Sequence, residues 1–301
     1  MTDKKFPYVP IILAILCALV PGAPGTGRAA DTPVRVAVSI LPQSYFVGKI
    51  GGERVKVDTL VQPGRSPATY GLTPRQMTEL GKAAVYFRIG VPFENGLIPR
   101  LRDSFPGLPI VDLREGITLL SMEDDGEEDH EHGELDQHTW LDPLLALQQA
   151  ERIRDELIRI DPEGKEIFRR NFAALAGELR SLDRELRGIL APYAGRAVYV
   201  FHPAYGYFCR AYGLRQHPIH VAGKDPGGAT LARFITEAKQ DRVRAIFVQP
   251  QFSDRAARTI ARSINAEVVP LDPLAADYPD NLRTIARRLA RYLAPAGQTT
   301  P

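Results

Sequence analysis

The sequence predicts an α/β fold of two lobes, each a mostly parallel sheet flanked by helices, joined by a long rigid helix. Three observations carry this expectation. Short β-rich runs alternate with helical patterns from residue 34 to residue 113. At Pro143 the pattern changes to continuous helix, which lasts until Pro192. After Gly195 the strand–helix alternation resumes and runs to the C-terminus.

In the first half, apolar residues alternate with Arg35, Ala37 and Ser39 over 34–40 and 55–61 is a second β-rich run; each is bounded by Gly, Pro or charged residues and reads as a strand. Thr73-Pro74 opens a helical pattern through Met77, Leu80 and Ala84. Residues 84–89, ending at Gly90, read as a buried strand. Residues 97–101 look helical, and 108–113 form a fourth strand. Strands and helices at this spacing favour parallel pairing with both faces of the sheet covered.

The middle of the chain is amphipathic. Leu144, Leu145, Leu147, Ile153, Leu157 and Ile160 make one apolar face, which Asp161-Pro162 interrupts. Ile167, Phe172, Leu175, Leu179, Leu182, Leu186 and Leu190 continue it. A helix of nearly thirty residues spans about 40 Å and acts as a strut. In the second half the strands are 197–201, 218–221, 245–248 and 267–271, and the helices are 205–212, 231–240, 254–264 and 278–293. The two halves share a plan but no sequence repeat. The expected boundaries are a leader at 1–30, a first lobe at 31–142, connecting helices at 143–192 and a second lobe at 193–301.

Lys4 and Lys5 precede an apolar run over 8–20, and Gly27-Arg28-Ala29-Ala30 follows; this is the layout of a secretory signal peptide cleaved after Ala29 or Ala30. The run is too short to span a bilayer, so a soluble, periplasmic product is expected, without membrane insertion and monomeric. Cys209 is then the one cysteine left, and it has no partner for an internal disulfide. The leader's charges account for the overall +2, which leaves the mature chain near zero, so no basic field is expected to hold nucleic acid or an anionic membrane. About 270 residues remain, enough for two domains.

Candidate ligands gather in and around residues 123–143. His130 and His132 lie among eight acidic residues between Glu123 and Glu134, a composition that predicts a solvated loop and at most a low-affinity metal collector. His138 differs, because Trp140 and Leu141 have apolar surface to bury and Asp142-Pro143 supplies an N-cap and first helical position. His202 directly follows the strand 197–201, and Asp272 directly follows the strand 267–271. Ligands of open α/β sheets collect at such carboxyl ends. Taken singly, His202 reads as a helix cap and Asp272 as a turn residue. Together with His138 they form a set drawn from both halves, and two imidazoles with one carboxylate suit zinc or manganese. The sequence has no phosphate-cradling loop, no Gly-x-Ser-x-Gly elbow and no His-Glu-x-x-His helix. The glycine-rich 223–228 lacks the spacing of a phosphate loop.

The chain resembles the zinc and manganese solute-binding proteins of bacterial ABC uptake systems, the group called cluster A-I. The most specific pieces are Asp136-Gln137-His138-Thr139-Trp140-Leu141-Asp142-Pro143 and Phe201-His202-Pro203-Ala204-Tyr205-Gly206-Tyr207-Phe208, with Gln249-Pro250-Gln251-Phe252 and Leu271-Asp272-Pro273-Leu274 as further matches. The resemblance implies a metal cleft between two α/β lobes, with His138, His202 and Asp272 as ligands. It also implies a periplasmic binding protein, not an enzyme, that captures zinc, or next manganese, and delivers it to an ABC permease with its ATPase. The acidic run falls where zinc-specific members carry a His-rich loop. In the segment 63–74 this chain departs from the family pattern. Ala68 stands where the first histidine ligand is expected, and Gly71 where a glutamate is expected. The position left open at Ala68 has water, His220 or the histidines 130 and 132 as candidates. His217 lies an odd number of residues from His220 and points to the other face of a strand. Two alternatives stand beside the receptor: a zinc-dependent hydrolase using the open position, and a diverged receptor that no longer holds metal tightly.

Overall fold

The computed structural model describes residues 1–3, 32–122, 135–219 and 228–295. The leader from residue 4, His130 and His132 in the acidic segment, and His220 with the glycine-rich residues 223–227 lie outside the described residues.

The first lobe contains β1 (Val34–Val38), α1 (Leu41–Gly51), β2 (Val55–Thr59), α2 (Pro74–Leu80), β3 (Val85–Arg88), α3 (Phe93–Ser104) and β4 (Ile110–Asp112). Its sheet is parallel throughout, in the order β2-β1-β3-β4. The centre of the sheet is buried on both faces, with Val36, Ala37, Val38, Val85, Tyr86 and Phe87 all inaccessible. This explains the unbroken apolar run Val85-Tyr86-Phe87, while in 34–40 apolar residues alternate with Arg35, Ala37 and Ser39.

Two connecting helices follow. α4 (Pro143–Ile160) starts on an Asp142 N-cap whose Oδ1 accepts from the Leu144 N–H at 2.7 Å. Asp161 ends it, and its carboxylate takes both arms of Arg54, Nε to Oδ2 at 2.6 Å and Nη2 to Oδ1 at 2.7 Å. α5 (Lys165–Leu190) has 26 residues, roughly 39 Å of rise. It packs along α4, against α1 of the first lobe and against α9 of the second. Phe168, Leu175, Leu179, Leu182, Leu186 and Leu190 are its buried stripe, and each apolar side chain so buried contributes about 1.5–3 kcal/mol.

The second lobe contains β5 (Ala197–Val200), α6 (Gly206–Ala211), β6 (Arg215–Pro218), α7 (Gly228–Gln240), β7 (Ala245–Val248), α8 (Arg255–Ile264), β8 (Glu267–Pro270) and α9 (Tyr278–Leu293). Its sheet is again parallel, in the order β6-β5-β7-β8. Both sheets thus reverse their strand order next to the first strand, and each has its crevice at the carboxyl ends there, between β1 and β3 and between β5 and β7. Residues 33–301 form one compact unit, and one buried cluster runs from Val36 and Phe87 through Leu179 and Leu186 to Val200, Leu271 and Leu293. A smaller cluster around Tyr199, Phe234 and Ile260 fills the far side of the second lobe.

Two elements differ from the sequence reading. α1 has no counterpart there, and β1 ends at Val38 rather than residue 40. Pro42 occupies the first turn of α1, where its missing N–H costs nothing. The third element of the second lobe is also displaced: β6 covers Arg215–Pro218, not 218–221. It is an edge strand, bonded only to β5 with Ala197 opposite Arg215 and Val200 opposite Pro218, so a polar sequence serves there.

Candidate metal site

His138 leads a 3-10 turn, Thr139–Leu141, between the first lobe and α4. An isolated antiparallel bridge between Ser121 and Leu135 precedes it. Asp136 is buried, and its Oδ1 accepts the His138 backbone N–H at 2.8 Å while pairing with His138 Nδ1 at 2.7 Å. With the carboxylate on Nδ1, the proton is fixed there and Nε2 keeps its lone pair for a metal. Asp136 is itself anchored. Its N–H donates to Leu120 O at 2.8 Å, and its carbonyl accepts from Tyr207 Oη–H at 3.0 Å. Burial pushes the Tyr207 phenol up to about 12, so it remains a neutral donor at physiological pH.

The turn is pinned to the second lobe. Trp140 Nε1–H donates to Pro273 O at 2.7 Å, and Tyr278 Oη–H donates to Trp140 O at 2.6 Å. Thr139 Oγ1 accepts from Gln149 Nε2 of α4 at 2.9 Å. The indole bond couples the His138 turn directly to the residue after Asp272.

His202 stands at the carboxyl end of β5, beside the crevice with β7. Gln249, buried at the end of β7, donates from Nε2 to His202 O at 2.9 Å. The His202 ring lies 5.1 Å from the Phe252 ring and 5.5 Å from the His138 ring, the latter nearly edge-on at 75°. The two histidines predicted from opposite halves of the chain are therefore neighbours.

Asp272 follows β8 by two residues. Its Oδ1 accepts from Gln251 Nε2 at 2.7 Å and from Leu274 N–H at 2.9 Å, and its carbonyl accepts from Asn281 Nδ2 at 2.7 Å. Tyr205, wholly buried, donates its hydroxyl to Leu271 O at 2.9 Å; burial, reinforced by the nearby Asp272 charge, holds that phenol well above its ordinary value. Asp272 and Gln251 line a cleft of about 230 Å³ whose other walls are the β1–α1 turn at Ile40 and Leu41, the loop from Val61 to Arg65, and Leu274 to Ala276. Among the described residues, no group of three or more His, Cys, Asp or Glu side chains is gathered to hold a metal. The structure brings His138 and His202 together and keeps Asp272 bonded to Gln251 at the cleft.

Ala68 is exposed on the loop before α2 and offers no lone pair. Tyr70 ties this loop down, since its hydroxyl accepts from Gln76 Nε2 at 2.8 Å and its ring lies 5.7 Å from Phe93. His217 is directed elsewhere: it lies in β6, pairs with Glu237 of α7 at 2.9 Å and stacks 4.5 Å from Tyr199.

The sequence reading assigned no role to Asp136, Gln249 or Gln251. Asp136 carried a usable signal, because an aspartate two residues before a histidine is positioned to accept its backbone N–H in an Asx turn. The glutamine contacts depend on strand ends more than twenty residues away in sequence and left no local trace.

Comparison with known proteins shows the family of the chain. The family model described as zinc-uptake complex component A, periplasmic, matches residues 36–292. The chain belongs to this family. A crystal structure of ZnuA is similar at 38% sequence identity and a TM-score of 0.81, covering 87% of this chain and 100% of that one. A zinc-bound deletion mutant of ZnuA is similar at 37% identity and a TM-score of 0.82, covering 89% and 100%. A protein of Chlamydia muridarum described as metal-binding is 30% identical over 265 residues, 88% of this chain and 93% of its own length. The zinc-uptake component A family consists of periplasmic binding components of uptake systems, not of enzymes, and the hydrolase alternative falls with that. Among the described residues no helix is long and apolar enough to cross a membrane.

Proposed function

We propose that this chain captures zinc in the periplasm, with manganese as the second choice, and hands it to an ABC permease driven by its ATPase. The observation that carries the reading is the His138–His202 pair, 5.5 Å between ring centroids, with His138 Nδ1 committed to Asp136. Asp272 is the third ligand, joining the pair when the metal enters, and water completes the tetrahedron at the position that Ala68 leaves open. Imidazole donors favour zinc over manganese, which takes carboxylate, carbonyl and water more readily. The leader at 1–30 directs export, and the mature chain works as a monomer with lobes at 31–142 and 193–301 joined by 143–192. The family relationship supports the uptake role.

Titration of the purified, chelator-stripped protein with zinc and with manganese tests this. Zinc is expected to bind with a Kd below about 10 μM, worth about 7 kcal/mol, and manganese more weakly. Absence of binding by either metal in that range overturns the reading and leaves a diverged receptor. His138→Ala and His202→Ala should each abolish the zinc signal.

A further inference from the structure

The mature chain's near-zero charge conceals a division. Residues 193–301 carry fifteen Lys and Arg against eight Asp and Glu, a net +7, while 31–192 carry twenty against twenty-seven, a net −7. Part of the positive charge converges at the foot of the second sheet, the end opposite the carboxyl ends that hold His202 and Asp272. There the starts of β5 and β7 meet the ends of α7 and α9 around a pocket of about 190 Å³. Arg196, Arg215, Arg242 and Arg244 line it, with Asp241 as the one carboxylate and Tyr199 in its wall.

Helix C-termini attract cations, so the arginines must first be set against that simpler role. Arg244 fills it: Nε donates to Tyr292 O at 3.2 Å and Nη2 to Arg291 O, which caps α9. Arg215 donates from Nε to Gly195 O at 3.2 Å. The Asp241 carboxylate is engaged by the Tyr199 hydroxyl at 2.8 Å. Among the described residues the guanidinium groups of Arg196 and Arg242 have no hydrogen-bond or ion-pair partner.

Arg242 also occupies an uncommon backbone position. It ends α7 in a Schellman arrangement, with its N–H bonded to Lys239 O at 3.2 Å and the Val243 N–H bonded to Ala238 O at 2.9 Å. Its φ is +52°, in the left-handed region where glycine is unstrained and a residue with a Cβ is not. The arginine in that cap position lines the same concave floor as Arg196, and both are exposed.

We propose that this pocket binds an oxyanion of the phosphate class, with Arg196 and Arg242 as the charged clamps. Guanidinium forks match the paired oxygens of phosphate, and the pocket has room for one such group rather than for a larger organic ligand. The anion is either free phosphate or the phosphate of a lipid headgroup, since the chemistry at the pocket is the same. The site is independent of the metal cleft.

Two arms of one experiment separate the sources. Calorimetric titration of the mature protein with inorganic phosphate, at an ionic strength fixed with chloride, reads the free ion. Co-sedimentation with phosphatidylglycerol vesicles against phosphatidylcholine vesicles reads the headgroup. Binding is expected in at least one arm, weakened about tenfold or more by Arg196→Gln and by Arg242→Gly, with the zinc titration unchanged. Arg242→Gly should at the same time raise the thermal midpoint, because glycine relieves the backbone strain; this separates loss of the clamp from loss of the fold. No phosphate heat together with no preference for the anionic vesicles overturns the proposal. So does binding that both variants leave intact.

Discussion

Asp136 holds His138 through a single oxygen, Oδ1, which meets both the backbone N–H and the ring Nδ1 within 2.8 Å. Backbone turn and ring orientation are thus set by one buried carboxylate. Asp136→Ala should lower zinc affinity by roughly 10–100-fold while the protein remains folded. Asp136→Asn keeps an acceptor oxygen and should lose less. Competition with a fluorescent chelator measures both, and a Asp136→Ala protein with unchanged affinity would show that His138 needs no such support.

Gln251 stands in the same relation to Asp272. Its Nε2 holds Asp272 Oδ1, while its own Oε1 is buried without a protein partner. With Oδ1 restrained, the proposed coordination uses Oδ2. Gln251→Ala should weaken zinc binding by about tenfold, close to 1.4 kcal/mol. Tighter binding in this variant would instead make Oδ1 the donor and Gln251 its competitor.

Ala68 offers the opposite kind of change. The loop bearing it belongs to the same segment, after β2, whose Gln62 to Arg65 stretch walls the cleft. Ala68→His restores a nitrogen donor and should raise zinc affinity by about tenfold or more. His220→Ala, measured beside it, should leave affinity within about threefold if water fills the position.

Asp142 separates capping from charge. Burial raises its carboxyl above the ordinary value even though the Leu144 and Leu145 N–H groups favour the ionised form. Asp142→Ala removes the cap of α4 and should cost about 1–2 kcal/mol by urea denaturation at pH 7. Asp142→Asn keeps an acceptor without a buried charge and should stay close to the parent protein.

Glu79 gives the first lobe an acid-sensitive link. Hydrogen bonds from Lys82, then from Arg35, hold its carboxyl down at about 2. A carboxylate with a depressed folded-state value stabilises the fold above its ordinary value and loses that contribution as pH falls toward the depressed one. Between about pH 4.5 and pH 2 the thermal midpoint of the parent protein should therefore fall more steeply than that of Glu79→Gln; parallel curves would rule the link out.

Most of the fold was legible because parallel strands buried on both faces leave unbroken apolar runs, as in Ala245–Val248 and residues 85–87 of β3. α1 was illegible for a different reason. Its buried face, Pro42, Gln43, Phe46, Val47, Ile50 and Gly51, recurs at helical spacing but mixes a proline, a polar glutamine and a glycine with the apolar residues, and Gly48 weakens the other face. β6 was misplaced because Arg215 and Gln216 are polar, and an edge strand tolerates them where a central one does not. At the candidate site, the nearness of His138 and His202 agrees with their places at a turn and a strand end, and Asp272 stays a proposed third member. Their orientation was not legible, because Asp272 depends on Gln251, and the His138 turn on Pro273, across long stretches of chain.

An unbroken apolar cluster runs from Val36 through α5 to Leu293, so a hinge opening between the lobes would have to expose packed apolar side chains. A receptor so built keeps one outline whether loaded or empty, and its radius of gyration in solution scattering should not change with zinc. What the permease can sense is then confined to the rim: the loop after β2 and the turn after β8, which together wall the cleft. Occupancy should then be communicated as a change of surface texture, not of shape.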